Sequence, residues 1–211
     1  MIESEAEARN FVAKSCDEAA IERLEGFIAA LKSENERQNL VARATLENVW
    51  QRHIADSAQL LLHVPRETGP WLDLGTGAGL PGLVIAAMRP EWRVILVESR
   101  KRRVEWLERI RTDLGLPKCE VVGKRLELVE SFESSVISAR AFAPLPRLLD
   151  LSARFSTGRT LWLLPKGRSA AQELQELPKR LRKLFHVEQS QTDPEAGIIV
   201  GRLAKEAKAK P

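Results

Sequence analysis

Five short apolar runs, each followed by a helix-like stretch, dominate the chain after residue 70. The runs span residues 71–75, 94–98, 120–123, 136–140 and 160–164, and the helix-like stretches span 80–88, 100–114, 124–131, 144–155 and 168–184. Short strands separated by helices build βαβ units, in which helices cover both faces of a parallel sheet. The alternation therefore predicts an α/β fold with an open, mostly parallel sheet.

The end of the chain breaks this alternation. Residues 185–189 and 197–203 are joined by a polar turn that is too short for a helix. Consecutive strands without a helical crossover pair antiparallel, so we predict a hairpin that closes one edge of the sheet. The lysine-rich tail, 204–211, is expected to fray.

The chain before residue 69 has a helical pattern and no strand pattern. Asp17 is the predicted N-cap of a helix that ends in the polar stretch 32–39 and carries apolar residues at helical spacing: Ile21, Leu24, Ile28 and Leu31. A second helix is predicted from about Thr45, with Glu47 in its first turn, to about His63.

Proline and glycine residues between positions 65 and 70 mark a boundary. We therefore predict a helical extension, residues 1–68, followed by one α/β domain, residues 69–211.

The two predicted parts differ in net charge. The extension carries 8 Lys+Arg against 12 Asp+Glu, a net charge of −4, and residues 69–211 carry 25 against 17, a net charge of +8. This asymmetry indicates that the basic part meets a polyanion such as a nucleic acid, although a solvated surface would have the same composition.

Composition narrows the class of protein further. Hydrophobic residues make up 44% and charged residues 29% of the 211 residues, which excludes general disorder. The two cysteines, Cys16 and Cys119, are typical of a reducing compartment rather than of a disulfide framework. The longest apolar run, 83–88, is far shorter than the roughly 18 residues of a membrane span, and the acidic start of the chain differs from a signal peptide. We expect a soluble cytoplasmic protein with no membrane partner.

The most informative motif lies where the first predicted strand passes into the first predicted helix. It reads Trp-Leu-Asp-Leu-Gly-Thr-Gly-Ala-Gly-Leu-Pro-Gly over residues 71–82. A dinucleotide fingerprint needs G-x-G-x-x-G, but Leu80 stands where its third glycine would be. The spacing G-x-G-x-G after an acidic residue suits a cofactor without a pyrophosphate.

An acid follows this loop at the distance that a ribose contact requires. Glu98 ends the second predicted strand, 23 residues after Gly75, where a carboxylate accepts hydrogen bonds from ribose hydroxyls. Together with Gly75 and Gly77, it predicts an adenosine site without phosphate contacts, and S-adenosylmethionine is the cofactor that fits. The alternative interpretation of this motif is a Rossmann oxidoreductase. If the cofactor is S-adenosylmethionine, Asp73 would face either its ammonium group or the backbone near its carboxylate.

The absence of two catalytic motifs limits which atom can accept the methyl group. Methylation at cytosine C5 needs a thiolate, but Cys119 lies at the start of the third predicted strand. Amino methylation commonly uses an Asn/Asp-Pro-Pro-aromatic motif, which is absent from residues 138–144. A ring nitrogen with an in-plane lone pair, such as guanine N7, needs neither, so we predict catalysis by positioning, with no general base and no conventional catalytic residue.

Several motifs together resemble one family. They are Asn39-Leu40, Arg52-His-Ile-Ala-Asp-Ser57, the loop Asp73–Gly82, Lys101-Arg-Arg-Val104, Arg125-Leu-Glu127, Ser138-Ala-Arg-Ala-Phe-Ala143 and Lys166-Gly167. This set is similar to the bacterial 16S ribosomal RNA guanine-N7 methyltransferase G family, also called glucose-inhibited division protein B. Two positions depart from the pattern, because Glu98 and Ser134-Ser135 stand where relatives often have aspartate.

The resemblance implies a Rossmann-like, seven-stranded class I S-adenosylmethionine-dependent methyltransferase sheet with an N-terminal helical extension. It implies that the substrate is a guanine in the decoding-region loop of 16S ribosomal RNA, free or in the small-subunit particle. The cofactor contacts that it implies are Gly75, Leu80, Leu126, Glu127 and Arg140. It also implies that the helix with His53 and Asp56, whose spacing by itself favours a structural hydrogen bond, borders the pocket.

Basic residues supply the predicted RNA contacts. Arg100, Lys101, Arg102 and Arg103 open a helix, where cations oppose the helix dipole, so we expect them to bind RNA phosphates unless their stems merely cover the sheet edge. Arg140 and Lys166 end the fourth and fifth predicted strands, at the rim where the substrate arrives. Arg140 would contact a phosphate or pair with Glu127. The five tryptophans are predicted to lie in the core or to cover the sheet.

Two other functions remain open from the residues. A small-molecule methyltransferase would use the same cofactor site, and a non-enzymatic RNA-binding assembly protein would retain the pocket without using it. We expect a monomer that uses no metal.

Overall fold

The computed structural model describes residues 1–65 and 68–203, and its centre is one seven-stranded sheet. The strands are β1 (Trp71–Leu74), β2 (Val94–Val97), β3 (Cys119–Val122), β4 (Val136–Ala139), β5 (Leu161–Gly167), β6 (Phe185–Gln189) and β7 (Gly197–Gly201). Their order is β3-β2-β1-β4-β5-β7-β6. The first five strands pair in parallel, whereas β7 is antiparallel to both β5 and β6. The predicted fold class and the terminal hairpin are confirmed.

Alternate residues of the central strands enter two different cores. On β1, Trp71 packs into the core on one face of the sheet, and Leu72 and Leu74 pack into the core on the other. Both faces are buried because helices cover them, as expected for parallel strands. Trp71, Trp106 and Trp162 are among the largest fully buried side chains, in agreement with their predicted place in the core.

Eight α-helical segments accompany the sheet in the described residues. They are α1 (Glu5–Ala13), α2 (Glu18–Asn35), α3 (Asp56–Ala58), α4 (Gly82–Met88), α5 (Lys101–Asp113), α6 (Leu145–Ser152), α7 (Ala170–Gln175) and α8 (Lys179–Arg182). Asp17 caps α2 as predicted, because its side chain accepts a hydrogen bond from the Ala20 amide at 2.8 Å. None of these helices combines the length and the apolar character needed to cross a membrane.

Two helix predictions need correction, and one helix was not predicted. The helix predicted over 124–131 is only one 3₁₀ turn, Leu126–Leu128, because the buried side chains Leu126 and Val129 are three residues apart and fill a single turn. The stretch predicted over 168–184 is split into α7 and α8, since Pro178 cannot continue a helix. Helix α1 was not predicted, although Ser4 caps it through the Glu7 amide.

The predicted helix from Thr45 to His63 is also irregular. A short 3₁₀ turn, Arg43–Thr45, comes first, and a π-helical segment, Trp50–Ala55, leads into α3 and a 3₁₀ turn, Gln59–His63. The carboxylate of Glu5 accepts hydrogen bonds from the Trp50 and Gln51 amides, at 3.0 and 2.8 Å. A residue far away in sequence therefore fixes where this helix begins.

The N-terminal segment packs against helices that cover one face of the sheet. Phe27 on α2 contacts Trp106 on α5, with ring centroids 6.4 Å apart, and Arg23 donates to the Ala87 carbonyl at 2.9 Å. The extension therefore shares the core on one face of the sheet. The boundary between residues 68 and 69 stays a prediction; residues 66–67 beside it and the tail 204–211 lie outside the described residues.

Candidate active site

The strand order reverses at β1, which has β2 on one side and β4 on the other. In open α/β sheets, ligands bind at such a switch point, beyond the carboxyl ends of the strands. Three predicted site segments leave the sheet there: the glycine loop after β1, Glu98 after β2 and Arg140 after β4. The sequence predictions are therefore brought together at one edge of the sheet.

Two cavities open at this edge. The smaller, here called the glycine-loop cavity, has a volume of about 530 Å³ and is bordered by Gly75, Glu98, Leu126 and Glu127, among others. The larger, here called the hairpin cavity, has a volume of about 960 Å³ and lies between the helical segment at residue 53 and the β6–β7 turn. The segment 141–144 borders both, so a ligand in one cavity can meet a ligand in the other there.

Gly75 lies on the floor of the glycine-loop cavity, at the point where the chain leaves β1. Its φ of +61° lies in the left-handed region, which glycine adopts without the strain that a side chain adds. A Cβ at this position would also overlap the ring of Phe142. Gly75 thus lets the backbone turn while an aromatic ring lies directly on it.

Glu98 lies at the end of β2 on the wall of the glycine-loop cavity. Its Oε1 accepts hydrogen bonds from the Ser99 and Arg100 amides, at 2.7 and 2.9 Å, and its Oε2 accepts one from the Gly77 amide at 3.2 Å. A carboxylate oxygen accepts about two such bonds, so Oε2 can take one more donor. This leaves a place for one ribose hydroxyl, with the carboxylate held in position by the backbone.

Asp73 lies under the glycine loop rather than in either cavity. It is fully buried, and it accepts hydrogen bonds from the Ser138 hydroxyl at 2.6 Å and the Gly82 amide at 3.0 Å. Ser138 is its register partner on β4, so the carboxylate ties the loop to the neighbouring strand. It also occupies the N-terminal amide of α4, where a dinucleotide would place its pyrophosphate. This arrangement favours a cofactor without phosphates.

Burial sets the protonation of Asp73. Desolvation raises its pKa to about 6 from 3.8, although the bonds from Ser138 and Gly82 oppose the shift. The folded protein therefore holds this proton more tightly than the unfolded chain does, and stability falls as pH rises from about 4 to about 6. The shift corresponds to a loss on the order of 3 kcal/mol.

Asp73→Asn is expected to remove this pH dependence. Because asparagine does not titrate, the difference in unfolding free energy between wild type and variant should be largest near pH 4 and shrink by pH 7. Urea unfolding of both proteins at several pH values measures this difference, and the other carboxylates cancel because both proteins contain them. Parallel stability curves for the two proteins would contradict the assignment.

Arg140 enters the hairpin cavity from the end of β4 and lies between two residues of the N-terminal segment. Its Nη1 is 3.4 Å from Asp56 Oδ2 and 3.4 Å from His53 Nδ1. Asp56 also accepts from Gln59 and from the Thr192 hydroxyl, at 2.9 and 3.1 Å. The carboxylate that pairs with Arg140 is therefore Asp56 and not Glu127, which was one of the two partners predicted for it. Arg140 also lies between His53 and Asp56, which were predicted to bond to each other directly.

His53 is neutral in this arrangement. Burial is the main cause that lowers its pKa to about 3, and the charges of Arg140 and Arg52 lower it further. A guanidinium only donates, so Nδ1 accepts from Arg140 and the ring proton lies on Nε2, 2.7 Å from the Thr45 hydroxyl. That hydroxyl donates to the Ala42 carbonyl at 2.6 Å. The π-helical segment, a feature frequent at functional sites, thus orients Arg140.

The remaining cations of the hairpin cavity are paired. Arg52 is 2.9 Å from Asp193 on the β6–β7 turn. Lys166, predicted to contact RNA, is 2.8 Å from Glu173 and its side chain is only 6% exposed. With Arg140 beside Asp56, each cation of this cavity faces a carboxylate, so the cavity itself has little net positive charge.

Unpaired positive charge lies instead around the glycine-loop cavity. Arg100, Lys124 and Arg125 border this cavity, are exposed and have no ion-pair partner within the described part of the chain. Lys101 is next to them, 91% exposed, with Glu105 3.9 Å away. We call Arg100, Lys101, Lys124 and Arg125 the basic rim.

The other two predicted cations have internal partners. Arg102 donates to the Arg37 carbonyl at 3.0 Å, and Arg103 is 3.7 Å from Glu98. Arg103 therefore belongs to the cofactor side of the site rather than to the free surface.

Two further predicted residues, Gly77 and Leu80, border neither cavity. Gly77 does not line the glycine-loop cavity, but its amide holds Glu98. Leu80 is buried, 2% exposed, inside the loop. Sequence reasoning gave no role to Phe142, Thr45, Thr192, Lys124 and Arg125, although the motifs that resemble the family include Phe142 and Arg125. Within residues 1–65 and 68–203, no group of three or more His, Cys, Asp or Glu side chains is placed to hold a metal ion.

The fold and the site together define a class I S-adenosylmethionine-dependent methyltransferase. Solved structures agree with this class: a methyltransferase from Geobacter sulfurreducens aligns with a TM-score of 0.58 over 85% of this chain and 89% of its own, at 17% identity. An rRNA methylase from Streptococcus thermophilus aligns with a TM-score of 0.51 over 72% of this chain and 97% of its own, at 15% identity. At these identities the likeness concerns the fold.

Sequence comparison identifies the particular family. The model of the family described as rRNA small subunit methyltransferase G matches residues 20–196, and the chain belongs to this family. A ribosomal RNA small subunit methyltransferase G from Erythrobacter litoralis (strain HTCC2594) is 66% identical over 96% of this chain and 98% of its own length. Another from Novosphingobium aromaticivorans is 60% identical over 89% of this chain and 82% of its own. The resemblance stated from the motifs is confirmed.

Proposed function

We propose that this protein transfers the methyl group of S-adenosylmethionine to N7 of a guanine in the decoding-region loop of 16S ribosomal RNA. Membership of the family supports the reaction and the RNA. The observation that carries the proposal is the pair of cavities that share the wall 141–144. The glycine-loop cavity would hold the cofactor, and the hairpin cavity would receive the base.

The reaction needs little from side chains beyond position. S-adenosylmethionine supplies a methyl group on a sulfonium; the N7 lone pair forms the new N–C bond, the C–S electron pair returns to sulfur, and no proton leaves in this step. His53 would be a poor base because its pKa is about 3. The residues proposed to act hold the two partners in line: Glu98 on the cofactor side and Arg140 on the base side.

Mapping the modification in RNA tests the proposal. Small-subunit RNA from a strain lacking this gene is compared with RNA from the same strain carrying the wild-type gene, by cleavage at 7-methylguanine followed by primer extension. One stop in the decoding-region loop, present only with the gene, is expected. A modification on another atom or another RNA would refute the assignment of substrate.

The two alternatives make different predictions. A small-molecule methyltransferase would turn over a small acceptor without RNA, and this reading leaves the basic rim without a role. An assembly protein with an unused pocket would not bind S-adenosylmethionine, so calorimetric titration with the cofactor separates it from an enzyme.

The monomeric state, the cytoplasmic location and the independence from metal stay predictions.

The basic rim is expected to bind RNA phosphates. In the double variant R100E/K101E, methylation of small-subunit particles should fall about tenfold at low salt, because two phosphate contacts are lost. The slope of log affinity against log salt should become shallower by about 0.7–0.9 for each contact. Glutamate at the start of α5 suits the helix dipole, so the fold should tolerate the change.

Lys118→Glu is the matched control for this surface. Lys118 precedes β3 and lies at the opposite, amino-terminal edge of the sheet, where it is exposed. It should leave both methylation and cofactor affinity unchanged. Equal losses in R100E/K101E and K118E would show that general charge, not the basic rim, attracts the RNA.

A further inference from the structure

Phe142 is the one phenylalanine or tryptophan among the described residues that border the two cavities, and it borders both. It is half-buried, and its ring lies on Gly75, at the floor of the glycine-loop cavity. Every other side chain on the shared wall is an alanine or a proline. The junction of the cavities therefore has a single planar aromatic surface.

The backbone before Phe142 supports a functional position for this ring. Ala141 has a φ of +52°, and it is the only non-glycine residue with positive φ in the described part of the chain. Such a conformation costs roughly 1–2 kcal/mol and persists where the surrounding structure imposes it. Ala141 directly follows Arg140, and the ring of the next residue lies on Gly75 of the glycine loop.

The reaction itself requires the base to lie at this junction. If a nitrogen of the acceptor attacks a methyl group held in the glycine-loop cavity, the two atoms must approach to about 3–3.5 Å. The base therefore enters from the hairpin cavity as far as the shared wall. There it meets the half-buried ring of Phe142 and the guanidinium of Arg140, both of which follow β4.

We propose that Phe142 is the residue on which the acceptor guanine stacks, so that the ring sets the plane of the base against the methyl donor. This inference rests on the proposed function and goes beyond it by assigning the contact that selects a planar acceptor. Aromatic rings stack on every base, so Phe142 fixes orientation while other groups supply the choice of guanine.

Three substitutions at this position test the proposal. F142L keeps an apolar side chain of similar bulk but has no ring, whereas F142Y and F142W keep an aromatic face. We expect kcat/KM for unmethylated small-subunit particles to fall about 5- to 150-fold in F142L, the range that base–aromatic stacking corresponds to. F142Y and F142W should restore most of that loss, and the Kd for S-adenosylmethionine should stay within about twofold of wild type in F142L.

F132L is the matched control. Phe132 is also a half-buried phenylalanine packed against the same core, with its ring 5.2 Å from that of Phe155, but it borders neither cavity. The same substitution there should lower thermal stability without changing kcat/KM. Thermal unfolding of all variants separates loss of folding from loss of stacking.

Two results would overturn the proposal. In the first, F142L is as active as wild type, so the ring only packs on Gly75. In the second, cofactor affinity and kcat/KM fall by the same factor, so the ring serves the cofactor. Both are distinct from failure of the proposed function, in which the wild-type protein itself would place no methyl group on N7 of the guanine.

Discussion

Replacing Glu98 by alanine is expected to weaken S-adenosylmethionine binding about 10- to 100-fold, because a hydrogen bond to a charged group contributes about 1.5–3 kcal/mol. The variant loses the acceptor proposed for a ribose hydroxyl. It also releases the amides of Gly77, Ser99 and Arg100, which the carboxylate now holds between 2.7 and 3.2 Å. Calorimetric titration measures the affinity directly, without the RNA substrate.

Glu98→Asp is the control that keeps the charge. Its shorter side chain can still accept from the backbone and from a hydroxyl, so its affinity should lie between those of wild type and E98A. Methylation by E98A at saturating cofactor should recover, because the loss is in binding. Wild-type affinity in E98A would remove Glu98 from the cofactor site, and equal losses in E98A and E98D would show that geometry rather than charge matters there.

The strands could be predicted closely from the sequence because both faces of the sheet are buried. A strand that packs into two cores is apolar at most positions. Strands β1, β2 and β4, in which only Asp73 and Ser138 are polar, each coincide with such a run to within one residue at either end. The hairpin of β6 and β7 was predicted for a different reason, since no helix fits between them. The order in which β7 inserts between β5 and β6 was not predicted.

Short helical segments could not be predicted from local pattern. A short helix gains too few internal hydrogen bonds to form alone, and packing or a distant cap decides where it begins. Glu5 supplies such a cap to Trp50 and Gln51, 45 and 46 residues away in sequence. The same reason explains why residues 124–131 form a single turn instead of a helix.

The cofactor side of the site could be predicted because its parts are the ends of adjacent strands. Gly75 and Glu98 follow β1 and β2, so topology alone brings them together. The base side depends on side chains from distant segments. Arg140 meets Asp56, 84 residues earlier, and Asp56 meets Thr192, 136 residues later. Nothing local in the sequence indicates which carboxylate neutralises which cation. For this reason Lys166 was predicted to contact RNA, and its ion pair with Glu173 was not foreseen.

Replacing Arg140 by alanine is expected to lower kcat/KM for small-subunit particles by about 100-fold, the effect of losing charge-assisted contacts worth about 3 kcal/mol. Arg140 joins β4 to the N-terminal segment through His53 and Asp56, each 3.4 Å away. Without the guanidinium, Asp56 keeps Gln59 and Thr192 as partners, but His53 Nδ1 loses its donor. The wall between the two cavities then loses its support on the base side.

The pKa of His53 provides a readout that is independent of activity. Burial is the larger cause of its low value of about 3, and the charge of Arg140 is the next, so R140A should raise the pKa measured by NMR while leaving it below 6.5. Lysine at position 140 restores the charge but cannot bridge two partners as a planar guanidinium does, so R140K should lower the pKa again and recover only part of the activity. If R140K restores full activity, charge alone is what the reaction requires; if R140A is fully active, Arg140 does not position the base.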